Sequence, residues 1–394
     1  MEPLVLMGAS LIDGTGAEPA RGLAVVVEGG RIASVVNEAR APRGRRIDLS
    51  GCTLLPGLIN AHVHLCLGAE ADPVRAVRDE PATMTALKVL VRARETVEAG
   101  VTTVRDLAGR DYVEFSVRRA IDDGLFPGPR IVAAGRAVCM TGGHGNFFGR
   151  EADGPDDVRK AVREQLKAGA DCIKLIATGG VMTPGVEPGS PQLTLEEMRA
   201  AVEEARKAGR LTAAHAQGSA GIADAVEAGI TTIEHGIFLT DEIIASMKRK
   251  GVFLVPTLAA PAAISAGGLA AGIPEFMVRK SDAVISHHVS SFQRAAKAGV
   301  RIAAGADSGT PLNLHGSLLP ELDLMVKYGM APLEAIRSAT TVAAEALGLG
   351  RETGRVAPGH AADLLAVAGQ PAERIGALAD VRLVLARGAI VTAP

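Results

Sequence analysis

The segment LLPGLINAHVHL (residues 54–65) decides the fold, because an apolar run leads directly into two histidines two positions apart. Side chains alternate in direction along a strand, so His62 and His64 should point to the same side. Two imidazoles side by side at the end of a buried strand are typical of a metal site. The segment therefore predicts a strand that delivers two metal ligands at its carboxyl end.

Four further segments repeat this arrangement of a short apolar run followed by a side chain that can bind a metal. They contribute Lys174 in DCIKLIATGG, His215 in LTAAHAQG, His235 in TTIEHG and Asp307 in IAAGADSG. Any one of these could be a core histidine or a lysine solvated at a strand end. All six together, at successive strand ends, indicate ligands that converge at the mouth of a barrel of parallel strands.

The middle of the chain alternates strand signals with helix signals. The candidate strands are residues 54–60, 101–105, 130–138, 171–176, 211–214, 230–234, 252–256 and 301–305. The candidate helices are residues 83–99, 112–123, 155–168, 194–208, 218–228, 240–250, 275–298 and 332–347, and Thr194 with Glu197 forms a capping-box pattern. Eight such pairs predict an α/β fold, a (β/α)8 TIM barrel. An open doubly wound sheet is disfavoured because no glycine-rich phosphate fingerprint follows the first strand.

Both ends of the chain carry short strands and turns instead of helices. Residues 3–56 contain a hairpin signal at Gly29-Gly30, and residues 361–392 contain two more apolar runs. Neither end has enough apolar sequence for a core of its own. We therefore predict one small β-sandwich domain built from residues 1–56 and 351–394, beside a barrel over residues 57–350.

Composition narrows the function classes. The formal net charge is −2, which gives no electrostatic case for nucleic acid or for an anionic membrane surface. Four cysteines without CxxC spacing indicate reduced thiols, and the first residues lack a signal-peptide pattern, so a cytoplasmic location is expected. Residues 252–273 are uncharged, but prolines and glycines interrupt them. We predict a buried strand and a flexible loop there, and no membrane span.

The motifs together resemble the amidohydrolase superfamily, and more narrowly its imidazolonepropionase/prolidase-like branch of metal-dependent dipeptidases and amidases. The resemblance runs along the whole chain: GASLIDGTG (8–16), LLPGLINAHVH (54–64), TGGHG (141–145), KLIATGG (174–180), AHAQG (214–218), IEHG (233–236), GADSG (305–309) and GRVAPGHAADLLAV (354–367). It implies a barrel with a metal-dependent hydrolase site at its mouth.

The resemblance also implies how the ligands are shared between two divalent ions. His62, His64 and Asp307 would hold the more buried ion, and His215 and His235 the more exposed one. Lys174 would bridge both as a carbamate; the alternative is an uncarbamylated lysine beside a single ion. Imidazoles with carboxylate-like oxygens favour Zn²⁺, with Mn²⁺ or Co²⁺ as substitutes.

Two residues receive catalytic roles. Such ions lower the pKa of bound water, and Asp307 would take the proton and pass it to the departing amine. By the resemblance, His144 in MTGGHGNFFG would donate a hydrogen bond to the substrate carbonyl or oxyanion. His287 and His288 lie in a polar stretch and are expected to be solvated.

Substrate contacts are less sharply indicated by the sequence. Arg150 and Arg136 are candidates for binding a substrate carboxylate, and Phe238 stands where some dipeptidase relatives would have a tyrosine. We expect Phe238, together with Phe147, Phe148 and a pliable loop at 259–274, to form an apolar substrate pocket.

Three functions remain open at this point. The first is hydrolysis of small dipeptides or N-acyl amino acids, in a chain that is expected to form a homo-oligomer. The second is a cyclic-amide hydrolase or a deaminase on the same scaffold. The third is a barrel without activity, which retention of all six ligands disfavours.

Overall fold

The computed structural model describes residues 2–393, in which strands and helices alternate through the middle of the chain. The strands are β1 (Leu4–Met7), β2 (Ser10–Leu11), β3 (Leu23–Glu28), β4 (Arg31–Asn37), β5 (Arg45–Asp48), β6 (Cys52–Pro56), β7 (Leu58–Val63), β8 (Val101–Asp106), β9 (Arg130–Ala133), β10 (Val138–Cys139), β11 (Arg150–Glu151), β12 (Cys172–Ile176), β13 (Leu211–Ala216), β14 (Thr232–His235), β15 (Phe253–Val255), β16 (Leu364–Ala368), β17 (Val381–Ala386) and β18 (Ala389–Thr392). The helices are α1 (Pro73–Asp79), α2 (Ala82–Glu98), α3 (Val113–Asp122), α4 (Pro155–Ala168), α5 (Leu195–Lys207), α6 (Ser219–Ala228), α7 (Asp241–Lys250), α8 (Ala259–Gly267), α9 (Glu275–Ala298), α10 (Leu319–Lys327), α11 (Pro332–Ser338) and α12 (Thr341–Ala346).

The central strands form parallel sheets, which confirms the predicted α/β class. One sheet has the order β7-β8-β9 and the other β11-β10-β12-β13-β14-β15. The amide of Asp171, just before β12, donates to the carbonyl of Ala133 in β9 at 2.8 Å and links the two sheets. Because parallel strands end on the same side, their carboxyl ends gather the predicted ligands.

The predicted eighth strand, residues 301–305, is not a regular strand. Its backbone is nevertheless bonded on both sides: Leu254 donates to the carbonyl of Arg301, and Ala61 donates to the carbonyl of Ala304, each at 2.9 Å. A little further on, Asp307 N donates to His62 O, also at 2.9 Å. The segment thus lies between β15 and β7, although its residues do not form a continuous ladder.

Two predicted strands are each divided in the structure. Residues 54–60 split at Gly57 into β6 and β7, which belong to different sheets. A Cβ atom at Gly57 would lie 2.2 Å from the Thr102 hydroxyl, so only glycine lets β7 pack this closely on β8. Residues 130–138 split into β9 and β10 around Gly135, whose φ of +72° turns the chain. Both breaks occur at glycines inside continuous apolar runs, and such runs do not show where one strand ends and the next begins.

The two ends of the chain form two further sheets, with the orders β4-β3-β1-β5 and β18-β17-β16-β6-β2. Their buried side chains share one apolar cluster, to which Leu6 and Val25 contribute from the first sheet and Leu54, Leu364 and Leu385 from the second. Strand β16 from the C-terminal end pairs with β6 from the N-terminal end. The chain ends therefore depend on each other for burial.

The helices follow the predicted pattern closely. The capping box at the start of α5 is formed, with the Thr194 hydroxyl accepting from the Glu197 amide and the Glu197 carboxylate accepting from the Thr194 amide. Gly229 and Gly251 cap α6 and α7 in left-handed conformations. The predicted helix 332–347 is interrupted and forms α11 and α12.

Residues 252–273 correct one prediction, because the expected flexible loop after β15 is helix α8. Pro261 is its third residue, where a missing amide hydrogen costs no helical bond. The carboxyl oxygens of Glu321, from α10, accept hydrogen bonds from Leu258 N and Ala259 N and so cap the helix. Within residues 2–393, no helix combines the length and the apolar character needed to cross a membrane.

Candidate active site

A cavity lies at the carboxyl ends of the central strands. The six predicted ligands and His144 all line it. Apolar side chains form most of the remaining wall: Leu107, Phe147, Phe148, Ile176, Val181, Met182, Ile237, Ile264 and Val284. The structure therefore brings a polar floor and an apolar wall together in one site.

His62 is held by a buried charge network beneath the cavity. Its Nδ1 lies 2.9 Å from Glu234 Oε2, and Glu234 Oε1 accepts from Arg105 at 2.9 Å. Arg105 also donates to Ala61 O and to the Thr232 hydroxyl. Because a carboxylate only accepts, Nδ1 of His62 carries the hydrogen, and its Nε2 lone pair is free for a metal.

The other three histidines are oriented in the same way by oxygen acceptors. His64 Nδ1 donates to Ala108 O at 3.1 Å, and His215 Nε2 donates to Gly179 O at 3.1 Å. His235 Nδ1 lies 2.7 Å from the Thr257 hydroxyl, which itself donates to Pro256 O and so accepts from the imidazole. Each ring keeps one lone pair toward the cavity, as metal-ligating histidines do.

Burial keeps these imidazoles in the form that binds metals. Desolvation holds the pKa values of His62, His215 and His235 well below their ordinary range. They are therefore neutral at pH 7 and offer lone pairs, since a protonated imidazole has none to share.

Lys174 stands out as a fully buried amine, and its Nζ finds no hydrogen-bond partner among residues 2–393. Burial lowers its pKa to about 8, which increases the neutral fraction of the amine at physiological pH. Only a neutral amine can react with carbon dioxide, so the position fits carbamate formation. An unpartnered buried cation would otherwise be costly.

Asp307 is the anionic centre of the ligand set. Its Oδ1 lies 3.4 Å from His62 Nε2 and 3.3 Å from His64 Nε2. Although burial raises the pKa of Asp307, the nitrogen groups of His62, His64 and Lys174 around it favour its anionic form and bring that pKa down to about 2. The carboxyl is thus ionised at neutral pH, and the backbone there adopts a left-handed φ of +58° that holds it in this position.

His62, His235 and Asp307 each offer a ligand atom, and these three atoms lie within 4.8 Å of one another. The His235 ring is also 4.5 Å from the His215 ring, centroid to centroid. His235 therefore lies between the two groups of ligands that the sequence assigns to different ions. Four free imidazole nitrogens, a carboxylate and an unpaired lysine fit divalent cations.

His144 approaches the same centre from the glycine-rich loop before β11. Its ring centroid lies 4.4 Å from that of His215, and its Nδ1 is 2.9 Å from the Thr183 hydroxyl. The Thr183 oxygen already accepts from Gly145 N, so its hydrogen is available to His144 Nδ1. With Thr183 donating to Nδ1, Nε2 of His144 carries the hydrogen and can act as a donor; burial lowers the pKa of the ring to about 3.

The expected carboxylate and aromatic contacts of the substrate need correction. Arg150 is paired with Asp157 at 2.9 Å and Glu164 at 2.8 Å, and it does not line the cavity. Arg136 donates to the backbone carbonyl of Gly149 and has a structural role. Both guanidinium groups are engaged by nearby parts of the chain: helix α4 supplies the two carboxylates for Arg150, and the loop before β11 supplies the carbonyl for Arg136.

Phe238 also lies outside the described cavity lining. Its ring packs on His287 at 5.1 Å between centroids, while the preceding residue, Ile237, faces the cavity. Phe147 and Phe148 do line the cavity as expected. Helix α8, through Ala260, Pro261 and Ile264, supplies the wall that the sequence assigned to a pliable loop.

His288 is the residue whose sequence interpretation was wrong. It is buried and lines the cavity, and its Nε2 donates to the carbonyls of Pro256 at 2.6 Å and His235 at 3.1 Å. The helical period of α9 contains the signal, since Met277, Val284 and Phe292 share its buried face. His287, one position earlier, is exposed as expected.

Comparisons with known proteins agree with this geometry. The pattern described as the amidohydrolase family matches residues 53–391. Ochratoxinase of Aspergillus niger is 33% identical, over 94% of this chain and 82% of its own length. Imidazolonepropionase of Cutibacterium acnes is 29% identical, over 88% of this chain and 84% of its own.

Solved structures give the same result in three dimensions. A Xaa-Pro dipeptidase with methionine bound in its active site has a TM-score of 0.91 and 32% identity, covering 98% of this chain and 99% of its own. A prolidase in complex with N-methylphosphonate-L-proline has a TM-score of 0.92 and 33% identity, with complete coverage of both chains. The chain therefore belongs to the amidohydrolase family and is a hydrolase that acts on amide bonds.

Proposed function

We propose that this enzyme uses two divalent metal ions to hydrolyse the amide bond of small dipeptides or N-acyl amino acids with apolar side chains. The observation that carries the proposal is the cavity itself. It joins six convergent ligand side chains to a wall made mainly of apolar groups. A concave site lined mainly by apolar groups with a few convergent polar ones is typical of small-molecule binding.

The ligand set supports two ions rather than one. Four imidazoles with free lone pairs, one carboxylate and a lysine exceed what a single tetrahedral ion takes. Lys174 carries a carboxylate in this proposal, since a bare ammonium would repel both cations. Zn²⁺ is the expected metal, with Mn²⁺ or Co²⁺ as substitutes. Bound there, the ions polarise an amide carbonyl and make water acidic enough to act as a nucleophile.

The chain's own residues then handle the protons and the developing charge. Asp307 is ionised at neutral pH and takes the proton that the attacking water loses. The new carbon–oxygen bond replaces the carbon–nitrogen bond, and Asp307 returns the proton to the departing amine. His144, oriented by Thr183, presents its Nε2–H to the oxygen that becomes negatively charged. The products are a carboxylic acid and an amine.

The wall supports apolar substrates. Apart from Lys174, the described lining contains no lysine or arginine. Selectivity therefore depends on apolar contacts with groups such as Phe148, Ile176 and Ile264, with few directional polar contacts. The similarity to a dipeptidase and to ochratoxinase supports the same substrate class.

A substrate screen tests the proposal. Apolar dipeptides, N-acyl amino acids, cyclic amides and amino-purines are offered to the metal-loaded enzyme, and free amino acid and ammonia are measured separately. We expect release of amino acid from the first two classes without ammonia. Turnover limited to cyclic amides, or release of ammonia, would contradict the proposal.

The architectural proposals also follow from the contacts described above. Backbone bonds on both sides of residues 301–308 support a closed (β/α)8 barrel over residues 57–350. The apolar cluster shared by the two end sheets supports a β-sandwich of residues 1–56 and 351–394. All four cysteines are free, in keeping with a cytoplasmic location. A homo-oligomer remains a prediction.

A further inference from the structure

Gln217 is a polar side chain of the cavity for which the reaction so far has no use. It follows β13, two residues beyond the ligand His215, and it lines the cavity while remaining only 4% exposed. Its side-chain Oε1 has no hydrogen-bond partner among residues 2–393. A buried carboxamide oxygen without a protein partner therefore borders the place where the amide bond is to be cleaved.

The backbone of Gln217 is fixed, so this oxygen is not a loosely held surface group. Its amide donates to the Thr178 hydroxyl at 3.0 Å, and its carbonyl accepts from Phe238 N at 2.9 Å. The next residue, Gly218, lies so close to Gly189 that an added Cβ would come within 2.0 Å of the Gly189 carbonyl oxygen. Both neighbouring loops thus hold the stem of the side chain in one position.

An unpartnered buried carboxamide is unfavourable in the folded protein. Leaving such a group unsatisfied lowers the stability of the folded state, and a methionine of similar length would fill the space without that loss. The chain nevertheless places a glutamine here, beside an otherwise apolar wall. A glutamine at this position is explained if a bound molecule donates the hydrogen bond that the side-chain oxygen lacks in the free protein.

We propose that Gln217 is a specificity-determining residue whose Oε1 accepts a hydrogen bond from the N–H of the substrate's scissile amide. The inference rests on the proposed amide hydrolysis and refines its substrate class. In this proposal His144, oriented by Thr183, donates to the carbonyl oxygen of the amide, and the unpartnered oxygen of Gln217 accepts from its nitrogen. Secondary amides carry the required hydrogen, whereas N-alkylated amides, including those of proline, do not.

Paired substrates and paired variants test this assignment. The enzyme is given an apolar N-acyl amino acid and the same compound with its amide nitrogen methylated, together with a carboxylate-free secondary amide of the same acyl group. Wild type is compared with Gln217→Met, which removes the acceptor, and with Gln217→Glu, which keeps it. Gln293→Met is the matched control, because that glutamine is exposed on α9 and outside the cavity. Metal content is measured for every variant.

We expect wild type to prefer the secondary amide over its N-methyl analogue by roughly tenfold or more in kcat/KM. Gln217→Met should lose that preference by slowing only the secondary amides, and Gln217→Glu should keep it. Equal loss on all three compounds, or a loss that depends on the carboxylate and not on the N–H, would overturn the assignment. So would a wild-type enzyme that hydrolyses both amides equally well.

Failure of the proposed function gives a different result, because wild type would then hydrolyse none of the amides. In that case the role of Gln217 is still tested by comparing the thermal unfolding midpoint, Tm, of the variants with that of wild type. If its oxygen is kept unpartnered for a ligand, Gln217→Met should have a higher Tm than wild type, while Gln293→Met should not. A lower Tm for Gln217→Met would show that the glutamine serves the fold, and it would contradict the inference.

Discussion

Removal of the charge on Glu234 should weaken both the fold and the metal site. In the structure this buried carboxylate accepts from His62 Nδ1 and from Arg105, each at 2.9 Å, and also from the Thr232 hydroxyl. Glu234→Gln keeps the shape but leaves Arg105 as a buried cation without its anion. Loss of one partner from a buried pair costs ~3–5 kcal/mol. A glutamine offers one acceptor oxygen where Glu234 offers two, so His62 and Arg105 compete for it and metal affinity should fall about 10- to 100-fold.

Two assays follow these effects separately. Urea unfolding of metal-free protein gives the change in stability, and competition with a chelating dye gives metal affinity. Glu98→Gln is the control, because its partner Arg94 lies on the same exposed helix face at 2.7 Å, and such pairs contribute about 0–1 kcal/mol. Arg105→Met combined with Glu234→Gln should recover part of the lost stability. If Glu234→Gln matched wild type in both assays, the proposed role of this network would be refuted.

Three further perturbations test other parts of the site. Lys174→Ala should be nearly inactive in the amide assay and regain activity with added short-chain carboxylic acids, whereas rescue by alkylamines would contradict a carboxylated lysine. His144→Ala should lower kcat by ~10²–10³ with metal content unchanged, and loss of metal would argue against its role as a donor. Burial raises the pKa of Glu321 to about 8 in the folded protein, against 4.5 for a free glutamate. The folded state therefore holds its proton more tightly, and stability should fall as pH rises from about 4.5 to 8. In Glu321→Gln, urea unfolding should show a flatter profile over that range, and an unchanged slope would contradict this linkage.

Much of the site follows from local sequence pattern. An apolar run that ends in HxH predicts a strand whose two histidine side chains point to the same side. His62 and His64 could therefore be placed without knowledge of the fold. The same reasoning located Lys174, His215 and His235, since parallel strands deliver their carboxyl ends to one side. The positions of these residues could be predicted because they follow from short-range periodicity, which is visible in the sequence itself.

The residues that could not be placed depend on side-chain contacts that form only in the folded chain and that periodicity does not encode. Arg150 looked available for a substrate, but its partners Asp157 and Glu164 come from the following helix α4. Helix α8 looked like a loop of small residues because its cap, Glu321, lies more than fifty positions away. His288 was within reach of prediction, since the helical period of α9 puts it on the buried face.

The strand boundaries at glycines show a second limit of prediction from the apolar pattern. At Gly57 and Gly135 an apolar pattern continues across a change of sheet or a turn. Periodicity reports which residues are buried, and it does not report which neighbour buries them. Strand identity at such points is set by close packing, such as that of Gly57 on Thr102.

A metal titration of the metal-free enzyme tests the central claim most directly. Zn²⁺ is added in known equivalents while release of amino acid from an apolar N-acyl amino acid is followed, with carbon dioxide supplied. Two ions held by His62, His64, Lys174, His215, His235 and Asp307 predict activity that rises to a plateau at two equivalents per chain. A plateau at one equivalent, or full activity before any metal is added, would contradict the account.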